Sequence, residues 1–359
     1  LGTDIKINGN RSWDIAVHDD RFYSYVLRKE SLDLGESYMF GWWTCTDLEE
    51  FLHRIIRMDA GRKLYRSPRT WWYYMKARMT NRQTKVRSRT VAAAHYDIGN
   101  DLYREMLGKT MMYSCGYWRE APDLEEAQLA KMDLICSKLK LRKGDRVLDI
   151  GCGWGGFARY AAMNYGVEIV GVTIAQEQAM YAEESCKGLP VEIRTMNYRD
   201  LNEKFDKIVS IGMFEHVGYK NYGTFMKVVK RCMRNDSLFL LHTIGSQVDM
   251  VATDPWIDRY IFPGGMVPSV SQLVRAFGKD FVLEDWHNFG MDYNRTLRAW
   301  KANFEKNWSC LRHRYDSTFY RMWIFYLSVS AASFRARTNC LWQVVLTKKG
   351  NTLVYIPER

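Results

Sequence analysis

The residues best suited to chemistry lie in Val147-Leu148-Asp149-Ile150-Gly151-Cys152-Gly153-Trp154-Gly155-Gly156. An apolar run enters Gly151, Gly153 and Gly155 and leaves into a helical pattern. That describes a tight strand-to-helix turn, where glycine lets the backbone approach a ligand closely. A structural turn alone explains many such patterns, so the details matter. The spacing is G-x-G-x-G, not the dinucleotide G-x-G-x-x-G. The dinucleotide pattern also puts an acid at the end of the next strand for the ribose. Here that strand ends Gly171-Val172-Thr173-Ile174, without acid. A nicotinamide cofactor is therefore disfavoured, and S-adenosylmethionine (SAM), with its sulfonium cation, fits better. Asp149 precedes the turn, where a carboxylate can meet a cationic ligand or hold the loop. SAM enzymes usually also carry an acid after the second strand; Thr173 and Gln178 are the polar substitutes. Cys152 reads as a small packing residue rather than a nucleophile.

The elements that must position this turn alternate. Apolar strands are expected at 146–150, 168–172, 191–195, 207–211 and 238–242, with helices following the turn and at 176–187 and 222–233. Strand–helix alternation of this kind builds a doubly wound parallel sheet. Two closing strands are expected at 282–286 and 341–346. Residues 247–275 break the rhythm with Asp254-Pro255-Trp256 and Phe262-Pro263-Gly264-Gly265, and read as a lid insertion over the carboxyl end of the sheet, where such folds bind ligands. Residues 1–60 read as a small α+β domain: a strand at Ile5-Lys6-Ile7, then helical spacing at Phe22, Tyr25, Val26 and Leu27 and again at Leu48, Phe51, Leu52, Ile55 and Ile56. Gly35-Glu36-Ser37-Tyr38 and Gly41-Trp42-Trp43 lie between these helices. Residues 61–90 form a linker, and 91–359 the catalytic domain.

Charge is unevenly spread. The net +11 is concentrated in residues 62–89, which hold ten Lys or Arg and no acid, around Trp71-Trp72-Tyr73-Tyr74-Met75. A basic block points to an anionic partner. Two readings stay open: an interfacial helix with rings at headgroup depth and cations on lipid phosphates, or a linker helix whose aromatics pack on the next domain. The 22 Tyr and 13 Trp suit membrane interfaces, though such rings also stack on bases. No run approaches the ~18–20 apolar residues that cross a bilayer, and residues 1–10 lack a signal-peptide core. The eight scattered cysteines form no C-x-x-C pair and are expected to be free thiols. The location expected is cytoplasmic, peripheral to the inner face of the membrane.

Further motifs follow in order: His95-Tyr96-Asp97-Ile98-Gly99-Asn100, Met112-Tyr113-Ser114-Cys115-Gly116-Tyr117-Trp118, the glycine turn, Gly212-Met213-Phe214-Glu215-His216-Val217-Gly218, Leu241-His242-Thr243-Ile244-Gly245, Glu284-Asp285-Trp286-His287-Asn288-Phe289-Gly290 with Tyr293, and Phe334-Arg335-Ala336-Arg337 before Leu341-Trp342-Gln343. Across nearly the whole chain this series resembles the cyclopropane fatty acid synthase family of SAM-dependent methyltransferases. The resemblance implies a Rossmann-like α/β sheet with helices on both faces, and an enzyme. Its activity would transfer the SAM methyl to a cis double bond of a phospholipid acyl chain. A carbocation would form there, lose a proton to bound bicarbonate and close to a cyclopropane. Such chemistry needs an aligned methyl, a dry apolar cavity and a base beside the former methyl.

By the same resemblance the bicarbonate site falls on Glu215, His242 and Tyr293 with the backbone of Cys115 and Ile244. The SAM site falls on Tyr113, Ser114, Gly151, Gly153, Thr173, Gln178, Tyr198 and Arg199. Any one of these alone, such as a His after a strand, is more often structural; the ordered set is what carries the assignment. Two departures stand out: Asn197 opens a stretch that often reads Asp-Tyr-Arg-Asp, and Ser330 stands where some members have cysteine. His95 and Asp97 are implied to position SAM or the lid. The resemblance suggests a homodimer and no metal. Alternatives are a sister lipid C-methyltransferase without ring closure and a non-catalytic lipid-binding protein. A nucleic-acid partner is not expected, because no nucleic-acid motif is present.

Overall fold

The computed structural model describes residues 4–26, 31–58, 68–84 and 99–359. Its centre is a seven-stranded sheet built from β3 (Arg146–Ile150), β4 (Glu168–Thr173), β5 (Val191–Thr195), β6 (Phe205–Ile211), β7 (Met233–Ser246), β8 (Phe281–Asn288) and β9 (Asn339–Lys348). The strand order is β5-β4-β3-β6-β7-β9-β8. Pairings from β5 through β7 are parallel, but β9 runs antiparallel to both β7 and β8. The sheet is thus not wholly parallel, as the alternation suggested: an apolar strand looks the same in either direction, so the reversal of β9 leaves no mark on its pattern.

Successive residues of these strands feed opposite faces, as the two-residue strand period requires. Val147, Ile169, Val209 and Leu240 enter one core with helices Leu124–Lys138 and Gly156–Tyr165. Leu148, Val170, Ile208 and Phe239 enter another with helices Tyr222–Cys232 and Val270–Phe277. The order reverses between β3 and β6, so the sheet's switch point lies at the carboxyl ends of those strands, where ligand crevices form. β7 is longer than expected at both ends: near its start Arg234, Asn235 and Asp236 are exposed and polar, which hides that stretch from an apolar count, and it runs on to Ser246.

The N-terminal elements pack on the far side of this crevice. Ile7 makes one isolated bridge to Ile15 rather than a strand, and the strands are β1 (Ile15–Val17) and β2 (Trp43–Cys45), paired antiparallel. Residues 35–38 are helical, inside α1's successor: with α1 as Arg21–Val26, they belong to α2 (Ser31–Met39). Gly35 is needed there because a Cβ would come within 2.4 Å of the Trp256 ring. Helix α3 (Leu48–Arg57) is capped by Asp47, whose side chain accepts from Glu50 N, and carries acids in its first turn and Arg54 and Arg57 in its last, matching the helix dipole. These elements share one core with the long helix Ser317–Arg335: the Tyr38 and Phe325 rings meet at a tilt with centroids 5.6 Å apart, and Arg321 donates to Trp43 O at 2.7 Å. Helix α4 (Pro68–Met79) spans part of the basic block. All eight cysteines are free. No helix of the described residues is long and apolar enough to cross a membrane.

Candidate active site

A cavity of about 1320 Å³ opens at the carboxyl ends of β3, β4 and β6, more than the ~300–1,000 Å³ usual for one small ligand. The glycine turn forms its floor, with Gly151, Gly153 and Gly155 all at positive φ. Among the described residues, and its own chain neighbours aside, a Cβ on Gly153 would meet no atom within 4 Å. What it would occupy is cavity, so glycine there keeps ligand space open.

All eight residues expected to hold SAM line this cavity: Tyr113, Ser114, Gly151, Gly153, Thr173, Gln178, Tyr198 and Arg199. Thr173 and Gln178 are joined, Oγ1 donating to Oε1 at 3.2 Å. Asn197 Oδ1 accepts from Arg199 N at 3.1 Å, which shapes the turn, and Arg199 also donates to Gln83 O. Tyr113 and Tyr326 share a 2.7 Å hydroxyl hydrogen bond. Asp149, near the end of β3, is buried but also lines the cavity, and burial pushes its carboxyl up to about 7. The Cys152 thiol is held well above its ordinary value by burial, so it is not a thiolate. Ser330 is on the cavity wall.

Glu215, Ile244 and Tyr293 also line the cavity, whereas Cys115 and His242 sit behind its wall, Cys115 fully buried and His242 nearly so. Ile244 N donates to Glu215 Oε1 at 2.7 Å, which fixes the carboxylate and leaves Oε2 buried without a protein partner among the described residues. His242 Nε2 is likewise buried and unpartnered. Its Nδ1 lies 3.3 Å from Gln343 Nε2. With that amide donating, the proton of the neutral imidazole sits on Nε2 as a donor. Burial pushes Glu215 up to about 7, drives His242 well below its ordinary value and holds the Tyr293 hydroxyl protonated. Near neutrality the group therefore offers two donors and one titrating carboxyl. Two buried polar atoms of opposite hydrogen-bonding character are thus left without protein partners among the described residues, a donor set chemically suited to a small anion that also carries a hydroxyl.

Residues 83–344 match the family model of mycolic acid cyclopropane synthetase. The chain belongs to this family. It is 49% identical over 344 residues to the cyclopropane-fatty-acyl-phospholipid synthase of Escherichia coli K12, covering 96% of this chain and 90% of that one. The structure of the cyclopropane synthase MmaA2 from Mycobacterium tuberculosis superposes with a TM-score of 0.68 at 33% identity, over 72% of this chain and 98% of that one. The mycolic acid cyclopropane synthase CmaA1, complexed with SAH and CTAB, gives the same score at 31% identity, also over 72% of this chain and 98% of that one. Membership of the cyclopropane synthetase family makes the chain a SAM-dependent methyltransferase.

Some site residues escaped the sequence reading. His216, beside Glu215, also lines the cavity, and burial holds it neutral, down to about 4. Gln343 orients His242 from β9. Gln128 and Lys131, both fully buried on helix α6 (Leu124–Lys138; α5 is Asn100–Leu107), hold the Ser114 backbone and hydroxyl at 2.8 Å each. The available signal was polar residues on the buried stripe of that helix, where 124, 128, 131, 135 and 138 share a face. His95 and Asp97 lie outside the described residues, as do Arg62, Lys63 and Arg66 of the basic block.

Proposed function

We propose that this chain transfers the SAM methyl group to the cis double bond of an unsaturated phospholipid acyl chain and closes a cyclopropane ring, with bound bicarbonate as general base. The observation that carries this reading is the orphaned pair, Glu215 Oε2 and His242 Nε2, beside a cavity that joins the glycine turn to an apolar extension. Bound SAM supplies an electrophilic methyl, and bound bicarbonate a proton acceptor. The chain's own residues do the rest. Glu215 accepts the anion's hydroxyl hydrogen bond, His242 and Tyr293 donate to it, and the backbone of Cys115 and Ile244 bounds the site. Ile15, Phe22, Leu34, Phe51 and Ile55 extend the cavity into the N-terminal part, residues 1–60, as a wall suited to acyl carbon and not to water. The 247–275 segment, lining the cavity from above through Trp256 and Phe262, acts as the lid.

The test is incubation with SAM and vesicles of unsaturated phospholipid, followed by mass analysis of the acyl chains. A gain of one methylene in a product that resists hydrogenation supports the reading. Unchanged acyl chains would leave only a lipid-binding protein.

Membrane docking belongs to the same proposal: a protein peripheral to the inner face of the cytoplasmic membrane, working as a homodimer. On α4, Trp72 and Met79 are exposed beside exposed Lys76 and Arg78. Arg82, by contrast, is spent internally on Asp258 at 2.7 Å. Neutralising Lys76 and Arg78 is expected to weaken binding to anionic vesicles, each near-surface cation contributing about 1 kcal/mol. It should also flatten the salt dependence seen in flotation assays. If the variant keeps the wild-type salt dependence, α4 is a connecting helix only.

A further inference from the structure

Lys131 is a fully buried lysine that no step above uses. Burying an ammonium is expensive and is tolerated when the charge has work to do or is paired. Among the described residues its hydrogen bond goes to the Ser114 hydroxyl, at 2.8 Å, which leaves two of its three N–H groups over. One turn earlier on the same helix, Gln128 Nε2 donates to Ser114 O at 2.8 Å. From the opposite side Thr296 Oγ1 accepts from Gly116 N at 3.0 Å. The Ser114–Cys115 segment, which borders both the SAM wall and the anion site, is thus clamped by side chains that never reach solvent.

Nor is the charge balanced by an ion pair among the described residues. Asp149, an acid in its field, is itself pushed toward the neutral form by burial, and its Oδ1 has no partner among the described residues. Burial lowers Lys131 to about 7, opposed by Cys115 and Asp149, and its positive field reaches the His242 imidazole. A cation so placed is held charged most readily when an anion sits on the Cys115–His242 side.

We propose that Lys131 is a positioning residue for the anion site: it fixes the Ser114–Cys115 segment through the Ser114 hydroxyl and supplies the buried positive charge that retains bicarbonate. This rests on the bicarbonate reading above. Lys131→Gln keeps a donor for Ser114 and removes the charge; Lys131→Met removes both. The full-length chain, stripped of dissolved carbon dioxide, is titrated with bicarbonate at constant pH and ionic strength. One readout is the rise in Tm without lipid, which measures binding directly. The other is the half-saturating concentration for turnover at saturating SAM. Both concentrations are expected to rise about tenfold or more in either variant, the loss of one charge-assisted partner. SAM affinity by calorimetry should stay near wild type in Lys131→Gln and fall in Lys131→Met. If Lys131→Met does not fold, Lys131→Gln decides. Wild-type bicarbonate dependence in Lys131→Gln would overturn the proposal and leave the base assignment standing. A wild type whose Tm and turnover ignore bicarbonate would overturn both.

Discussion

Glu215→Gln is expected to reduce turnover by ~10²-fold or more while SAM affinity stays close to wild type, because the substitution keeps the shape of the site and removes only its anionic acceptor. The amide can still accept from Ile244 N through its oxygen, so the backbone contact survives. It then turns an NH2 group, not a carboxylate oxygen, toward the position Oε2 occupies. The pH dependence sharpens the expectation. Burial raises the Glu215 carboxyl to about 7, so it is protonated below that value and ionised above it. Turnover should rise with pH through about 7 in wild type, and that limb should vanish in Glu215→Gln. Tyr293→Phe removes one donor and should fall less. Removing dissolved carbonate should slow wild type, and bicarbonate should restore it. Turnover of Glu215→Gln at the wild-type rate, with SAM and lipid saturating, would move the base elsewhere in the cavity.

Gly153→Val is expected to abolish measurable SAM binding in calorimetry. Gly153 sits at φ +55°, where a β-branched residue is strained by ~1–3 kcal/mol. Its side chain would also project into the cavity, since beyond its chain neighbours no atom of the described residues lies within 4 Å of the added Cβ. The fold should tolerate the change better than the ligand does, because the added Cβ points into open cavity. Unchanged SAM affinity in a folded variant would remove the glycine turn from the SAM site.

Much of the sheet could be read from sequence because its strands are short apolar runs bounded by turn residues. The bounds of β3 and β5 agree residue for residue, and β4 runs one residue further, to Thr173. The N-terminal part was less legible. β1 and β2 are three residues each, too short for a period to register, and α2 holds Gly35, whose presence argues against a helix unless the approach of Trp256 is known. Strand direction was invisible at β9 for a similar reason: reversal changes neighbours, not composition. In the site, residues in recognisable strings were placed by the string, and the eight expected at the SAM wall do line one cavity. Behind the wall, Cys115 and His242 were placed by their strings, but the residues that hold them were not. Lys131 and Gln128 belong to no local motif, Gln343 stood in its string without a role, and their partners are 17, 14 and 101 positions away in the chain. Only the folded arrangement tells a buried lysine on a helix stripe from one that reaches out to solvent.

The most direct measurement of the central claim uses SAM with a fully deuterated methyl group, vesicles of an unsaturated phospholipid and mass analysis of the released acyl chains. Ring closure forms two bonds from the transferred carbon to the former alkene carbons and removes one of its hydrogens as a proton. The product should therefore keep two of the three deuterium atoms and resist hydrogenation. Product that keeps all three would contradict the account: the proton would then have left from the acyl chain, as in a lipid C-methyltransferase that does not close a ring, and the cluster of Glu215, His242 and Tyr293 would not be a base site facing the methyl.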